Sequence, residues 1–144
     1  WKGFFNADWK GFMRFVAEKW DVDHPVVVQG ELMGPGIQGN RENLTDFKVF
    51  AFNMFNPLIK DYTPFRMFTD LILQYFGNYD NIVPVANPYK IFERHTLKEI
   101  LAHAEGKSIN HPIREGIVWK SADNHHPTIS FKAISNQFLL KGGE

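Results

Sequence analysis

The chain has 144 residues, enough for one domain with a real core, and its 44% apolar content with 14 phenylalanines excludes a disordered segment. Sixteen basic residues balance sixteen acidic ones, so the broad positive field of a polynucleotide binder is missing and any nucleic-acid contact must be local or supplied by residues outside this chain. No cysteine means no disulfide and no thiolate metal site, which fits a reducing, cytoplasmic location; neither a membrane-spanning apolar run nor a signal-peptide pattern is present. Because the first residue is Trp1 rather than Met, the chain is expected to begin inside a longer reading frame or to have been processed.

From Asp8 to Trp20 the pattern predicts a helix. Trp9, Phe12, Met13, Val16 and Trp20 recur at three- and four-residue steps, with Asp8 as the cap and Lys10, Arg14, Glu18 and Lys19 on a solvated face. Val26 to Met33 reads as a strand that enters a Gly34-Pro35-Gly36 turn. Phe47 to Phe55 reads as a second strand whose alternation leaves both faces largely apolar. A helix follows from Thr63, with Pro64 in its first position and Gly77 as its stop. Ile82 to Val85 is a short extended piece. Thr96-Leu97-Lys98-Glu99 is a capping box that opens a third helix, closed by Gly106. Ile113 to Trp119 and Thr128 to Ile134 are the last strands, separated by a polar turn with Asp123, Asn124, His125 and His126. Strands and helices mix without regular alternation, which predicts an α+β domain of mainly antiparallel sheets flanked by helices, undivided over residues 1–144.

Several charged residues stand in apolar or glycine-rich surroundings. Glu31 lies on a strand just before Gly34, Gly36 and Gly39; it either points to water or, if buried, needs a partner such as a ribose hydroxyl. Phe50 is either one more core ring or a platform for a base. Glu115 heads a short apolar strand that ends in Lys120; the two lie on opposite faces if the strand is regular. Lys132, between Phe131 and Ala133, must reach an anion or snorkel to the surface. A carboxylate for a divalent cation and a lysine for a phosphate oxygen suit each other. The six histidines show no metal-ligand spacing, and neither a serine-hydrolase elbow nor a P-loop is present.

Taken in order, four blocks resemble the motifs of ATP-dependent RNA ligases, a branch of the covalent nucleotidyltransferase superfamily. They are Gly30-Glu31-Leu32-Met33-Gly34-Pro35-Gly36-Ile37-Gln38-Gly39-Asn40, Phe47-Lys48-Val49-Phe50, Glu115-Gly116-Ile117-Val118-Trp119-Lys120, and Ser130-Phe131-Lys132-Ala133-Ile134-Ser135-Asn136-Gln137-Phe138. The likeness covers about Val26 to Lys141, and its most specific piece is the Gly-Pro-Gly-Ile-Gln block. The resemblance implies part of a nucleotidyltransferase (ATP-grasp-like ligase) domain that uses ATP or AMP and Mg²⁺ and has RNA ends as substrate. It implies that Glu31 hydrogen-bonds the ribose, Phe50 stacks on adenine, Glu115 places the metal and Lys132 touches the α-phosphate, with Lys120 available to assist. The family reaction passes through a lysyl-adenylate and an RNA-adenylate before a 3′-hydroxyl attacks.

Two departures qualify this expectation. The family nucleophile is the lysine of a K-x-D-G motif upstream of the Glu31 strand, and Lys2, Lys10 and Lys19 all lack that context. The chain is therefore expected to be the C-terminal part of an adenylation domain, inactive alone. Ile134 stands where some relatives carry a second lysine, a role that Lys141 could fill by folding back. A non-catalytic nucleotide- or RNA-binding module of the same fold is the alternative, and an aromatic-rich scaffold without ligand is a third reading. If strands upstream are missing, open sheet edges favour self-association.

Overall fold

A computed structural model describes residues 7–86, 96–121 and 129–142. Helix α1 (Trp9–Lys19) leads to strand β1 (Val27–Met33), a 3₁₀ turn (Gln38–Asn40), strand β2 (Lys48–Asn56), strand β3 (Asp61–Tyr62) and helix α2 (Phe65–Phe76). Helix α3 (Leu97–Ala104), strands β4 (Gly116–Lys120) and β5 (Ser130–Ile134) and helix α4 (Asn136–Leu140) complete the order. The strands form two antiparallel sheets, β1-β2-β3 and β4-β5, so the α+β expectation holds.

The helices begin where their caps dictate. Asp8 accepts a hydrogen bond from the Gly11 N–H at 2.9 Å, and its second oxygen takes the Tyr75 hydroxyl at 2.9 Å, which ties α1 to α2. Pro64 caps α2 rather than occupying its first turn, and Gly77 ends it in the left-handed region at φ 76°. Thr96 and Glu99 form the reciprocal capping box at the start of α3. Trp9, Phe12 and Val16 of α1 meet Phe68, Leu71 and Ile72 of α2 over the inner face of β1 and β2. Phe12 and Phe68 are wholly buried, each contributing on the order of 2–3 kcal/mol of apolar burial. As expected, Lys10, Arg14, Glu18 and Lys19 remain exposed.

Strand β2 departs from simple alternation. The β1–β2 register runs Gln29 to Asn53 and then Gly30 to Ala51, which leaves Phe52 as an extra residue in a β-bulge. Ala51 and Met54, three apart, therefore both enter the core. Phe50 and Asn53 share the opposite face, whereas strict alternation places them on different sides. The expected piece at Ile82 is a single parallel bridge to Ala51, held by Ala51 N–H to Asn81 O at 2.9 Å and Val83 N–H to Ala51 O at 3.0 Å.

Near the C-terminus the strands are shorter than predicted. Ile113 and Arg114 lie outside β4 because Arg114 turns back to donate to the carbonyl oxygens of His103, Ala104 and Glu105, the last at 2.6 Å. That guanidinium satisfies the free carbonyls at the end of α3. Helix α4, absent from the sequence expectation, starts because Ser135 Oγ accepts from the Phe138 N–H at 3.1 Å. The polar turn with Asp123, Asn124, His125 and His126, along with Lys2 and Thr128, lies outside the described residues.

Candidate nucleotide and metal site

The Gly-Pro-Gly block makes a tight exit from β1. Gly34 has φ 148°, and a Cβ there would stand 2.9 Å from Phe47 Cα, so this turn admits only glycine. The loop is pinned from beneath by Glu42, only 4% exposed, which accepts from Ser108 Oγ and from the Asn110 N–H at 2.7 Å. Beside it, Arg41 donates to Ile113 O and lies 4.6 Å from the Phe138 ring. Neither residue stood out in the sequence, because a charged pair in a loop normally faces water.

Glu31 and Phe50 are directly opposed across β1 and β2 and so project from the same face. The Glu31 carboxylate is exposed, the first of the two outcomes its setting allowed, and it makes no hydrogen bond or ion pair among the described residues. Phe50 is 5% exposed yet stands apart from the main core cluster. The Lys48 ammonium lies over its ring, 4.9 Å from the centroid.

On the other sheet, the Lys132 ammonium donates to Glu115 Oε1, and both side chains are about half exposed. Lys132 thus reaches an anion, one of the two outcomes its setting allowed. Glu115 precedes the first residue of β4, so strand alternation does not govern it, and its carboxylate meets the Lys132 side chain. Gly116 is required next to it: a Cβ would lie 2.1 Å from Ala133 O, so only glycine lets β4 and β5 close at this end.

Lys120 joins the two sheets. Its ammonium donates to Phe52 O at 2.6 Å and to Asn53 Oδ1, and it lies 5.6 Å from the Phe52 ring and 5.2 Å from the Phe65 ring. Burial pushes this ammonium down from 10.5 to about 8. Asn53 in turn donates through Nδ2 to Gln29 Oε1 at 3.2 Å, and Gln29 lies two residues before Glu31 on the same face of β1. Lys132 stands opposite Val118, two residues before Lys120. Through these contacts the end of β4 is fastened to the face that carries Glu31 and Phe50. Lys141 sits exposed at the end of α4, and Ile134 is 38% exposed.

The donor set suits a hard divalent cation. No group of three His, Cys, Asp or Glu side chains converges among the described residues, so Glu115 offers one carboxylate rather than a cage. A cation of the Mg²⁺ or Mn²⁺ type is commonly held this way, with phosphate oxygens and water completing its shell. Among the described residues, no helix is long and apolar enough to cross a membrane.

The two-sheet α+β frame is that of the nucleotidyltransferase-type domains of solved RNA ligases. The RNA ligase family model matches residues 1–134, and the chain belongs to the RNA ligase family. Among solved structures, the Naegleria gruberi RNA ligase with PPi is 31% identical with a TM-score of 0.70, covering 89% of this chain and 37% of that one. A variant of that ligase with AMP and Mn is 29% identical at a TM-score of 0.72, covering 94% and 40%. Another, with ATP and Mn, is 30% identical at 0.70, covering 92% and 38%. The chain therefore spans about two fifths of the length of these structures. No curated protein matches it.

Proposed function

We propose that residues 1–144 form part of the adenylation domain of an ATP-dependent RNA ligase, which joins 5′-phosphate and 3′-hydroxyl RNA ends. The observation that carries this reading is the Glu31–Phe50 pair on the face to which Lys120 fastens β4. In it, Phe50 receives adenine and Glu31 accepts from the ribose hydroxyls. Lys132 neutralises the α-phosphate, and Glu115 holds a divalent cation, Mg²⁺ or Mn²⁺. When bound, the cation supplies charge neutralisation at the phosphate oxygens. The chain's own residues orient the nucleotide and balance its charge, which is where phosphoryl chemistry gains most of its rate.

The 144 residues contain no K-x-D-G motif, so the chain supplies the cradle and not the nucleophile. Titration of the chain with AMP and Mn²⁺ tests the reading: saturable binding is expected, and silence at millimolar nucleotide would leave only a scaffold. Incubation with radiolabelled ATP should give no covalent band. A labelled band would show that a lysine of this chain acts as nucleophile.

Two further properties accompany this reading. A cysteine-free chain suits the cytoplasm. Exposed apolar side chains, among them Leu58 at 70%, Ile59 at 67% and Leu140 at 87%, favour self-association. Light scattering should show species larger than a monomer, and a clean monomer counts against this.

A further inference from the structure

The β2 bulge leaves Phe52 without a partner residue on β1, and the Lys120 ammonium donates to its carbonyl. The same ammonium fixes the Asn53 amide with its oxygen toward Lys120 and its nitrogen toward Gln29. An ammonium spent on two protein oxygens and held beside two aromatic rings is poorly placed to act mainly on a phosphate. It does join elements that no shared ladder connects, since β2 and β4 belong to different sheets.

We propose that Lys120 is a positioning residue: seated in the notch made by Phe52 O and Asn53 Oδ1, it sets the spacing between the adenosine half of the site (Glu31, Phe50) and the phosphate–metal half (Glu115, Lys132). The proposal rests on the functional reading above. Glu115 and Lys132 lie on a two-stranded ribbon, and such a ribbon is marginal without tertiary anchors. Asn53 is the matching half of the latch, and the bulge makes it available by turning residue 53 to the same face as Phe50. A ligand that touches only one half is indifferent to the latch. A ligand that spans both gains from it.

The test uses the 144-residue chain and its Lys120→Met and Asn53→Leu variants, titrated with adenosine, with pyrophosphate plus Mn²⁺, and with AMP plus Mn²⁺. Lys120→Met should bind the first two as the parent chain does. It should lose about tenfold in affinity for AMP plus Mn²⁺, a typical coupling between two sites. Asn53→Leu should lose the same, and the double variant should lose little more, since both changes break one latch. Unchanged AMP plus Mn²⁺ binding in Lys120→Met overturns the proposal. So does an equal loss for pyrophosphate plus Mn²⁺, which makes Lys120 a phosphate ligand. If Lys120→Met fails to fold, Asn53→Leu carries the comparison, and a parent-like profile there overturns the proposal. If the parent chain itself does not bind AMP plus Mn²⁺, the functional reading falls and this proposal falls with it.

Discussion

Lys132 donates a hydrogen bond to Glu115 at the start of the β4–β5 ribbon, so without ligand the acid and the base of the proposed phosphate–metal half neutralise each other. A cation must displace the ammonium from Oε1, and a phosphate arriving with it gives the ammonium a new partner. The two ligands should therefore bind cooperatively. Lys132→Met should raise the affinity for Mn²⁺ alone a few-fold and lower that for AMP plus Mn²⁺ by about tenfold. Glu115→Ala should remove Mn²⁺ binding in both settings. Titrations followed by manganese electron paramagnetic resonance check this, and equal Mn²⁺ affinity in the parent and Lys132→Met would contradict it.

Glu31 and Phe50 should be separable by choice of ligand. Glu31→Ala should cost roughly 1–2 kcal/mol with AMP and far less with 2′,3′-dideoxy-AMP, because a charged acceptor loses its hydroxyl donors only in the first case. Phe50→Leu should weaken both alike by about 1 kcal/mol, the scale of a specific aromatic contact. Calorimetry with the two nucleotides measures the split. Identical losses for both ligands in Glu31→Ala would remove the ribose from the assignment.

Lys48 lies over the Phe50 ring, where an incoming base would stack. Lys48→Ala should uncover that ring and tighten AMP binding a few-fold, the cation–π contact being worth about 0.5–1 kcal/mol. Weaker binding would instead make Lys48 a partner of the nucleotide. The calorimetric titrations distinguish the two.

The Glu42 anchor predicts a loss of stability rather than of chemistry. Glu42→Ala removes a buried carboxylate and takes from the Ser108 hydroxyl and the Asn110 N–H the charged acceptor they share. A cost of about 2–4 kcal/mol follows, read as a lowered midpoint in urea unfolding. A change under 1 kcal/mol would mean that water replaces the carboxylate.

Glu105 predicts a dependence on acid. The Ser135 hydroxyl, at 2.6 Å, and then the Asn136 N–H, at 2.7 Å, hold its carboxyl below the usual 4.5. A depressed folded value means that the unfolded chain takes up the proton first as pH falls. The stabilisation is therefore present above 4.5 and is lost as pH drops through the lower folded value. Glu105→Gln should flatten that part of the stability curve, as unfolding followed from neutral to acid pH would show. An unchanged slope would indicate that the cap of α4 does not depend on the charge.

Local signals were legible wherever the chain interacts with itself nearby. Asp8, the Thr96–Glu99 box and Gly77 mark helix ends through contacts within a few residues, and both long strands appear within a residue or two of their predicted limits. The motif blocks also named Glu31, Phe50, Glu115 and Lys132 as the residues to examine. Strand β3 and helix α4 escaped because a two-residue pairing and a five-residue helix are too short to show a periodicity.

What residue order determined by itself is thus the three longer helices, the two long strands and the chemistry of the candidate groups, because caps, turns and periodicity are short-range. Only the tertiary structure decided that β2 carries a bulge, that Phe50 and Asn53 share a face, and that Lys120 reaches from one sheet into the other. A one-residue slip in a strand reverses every side chain beyond it, and its position depends on a ladder between segments far apart in the chain.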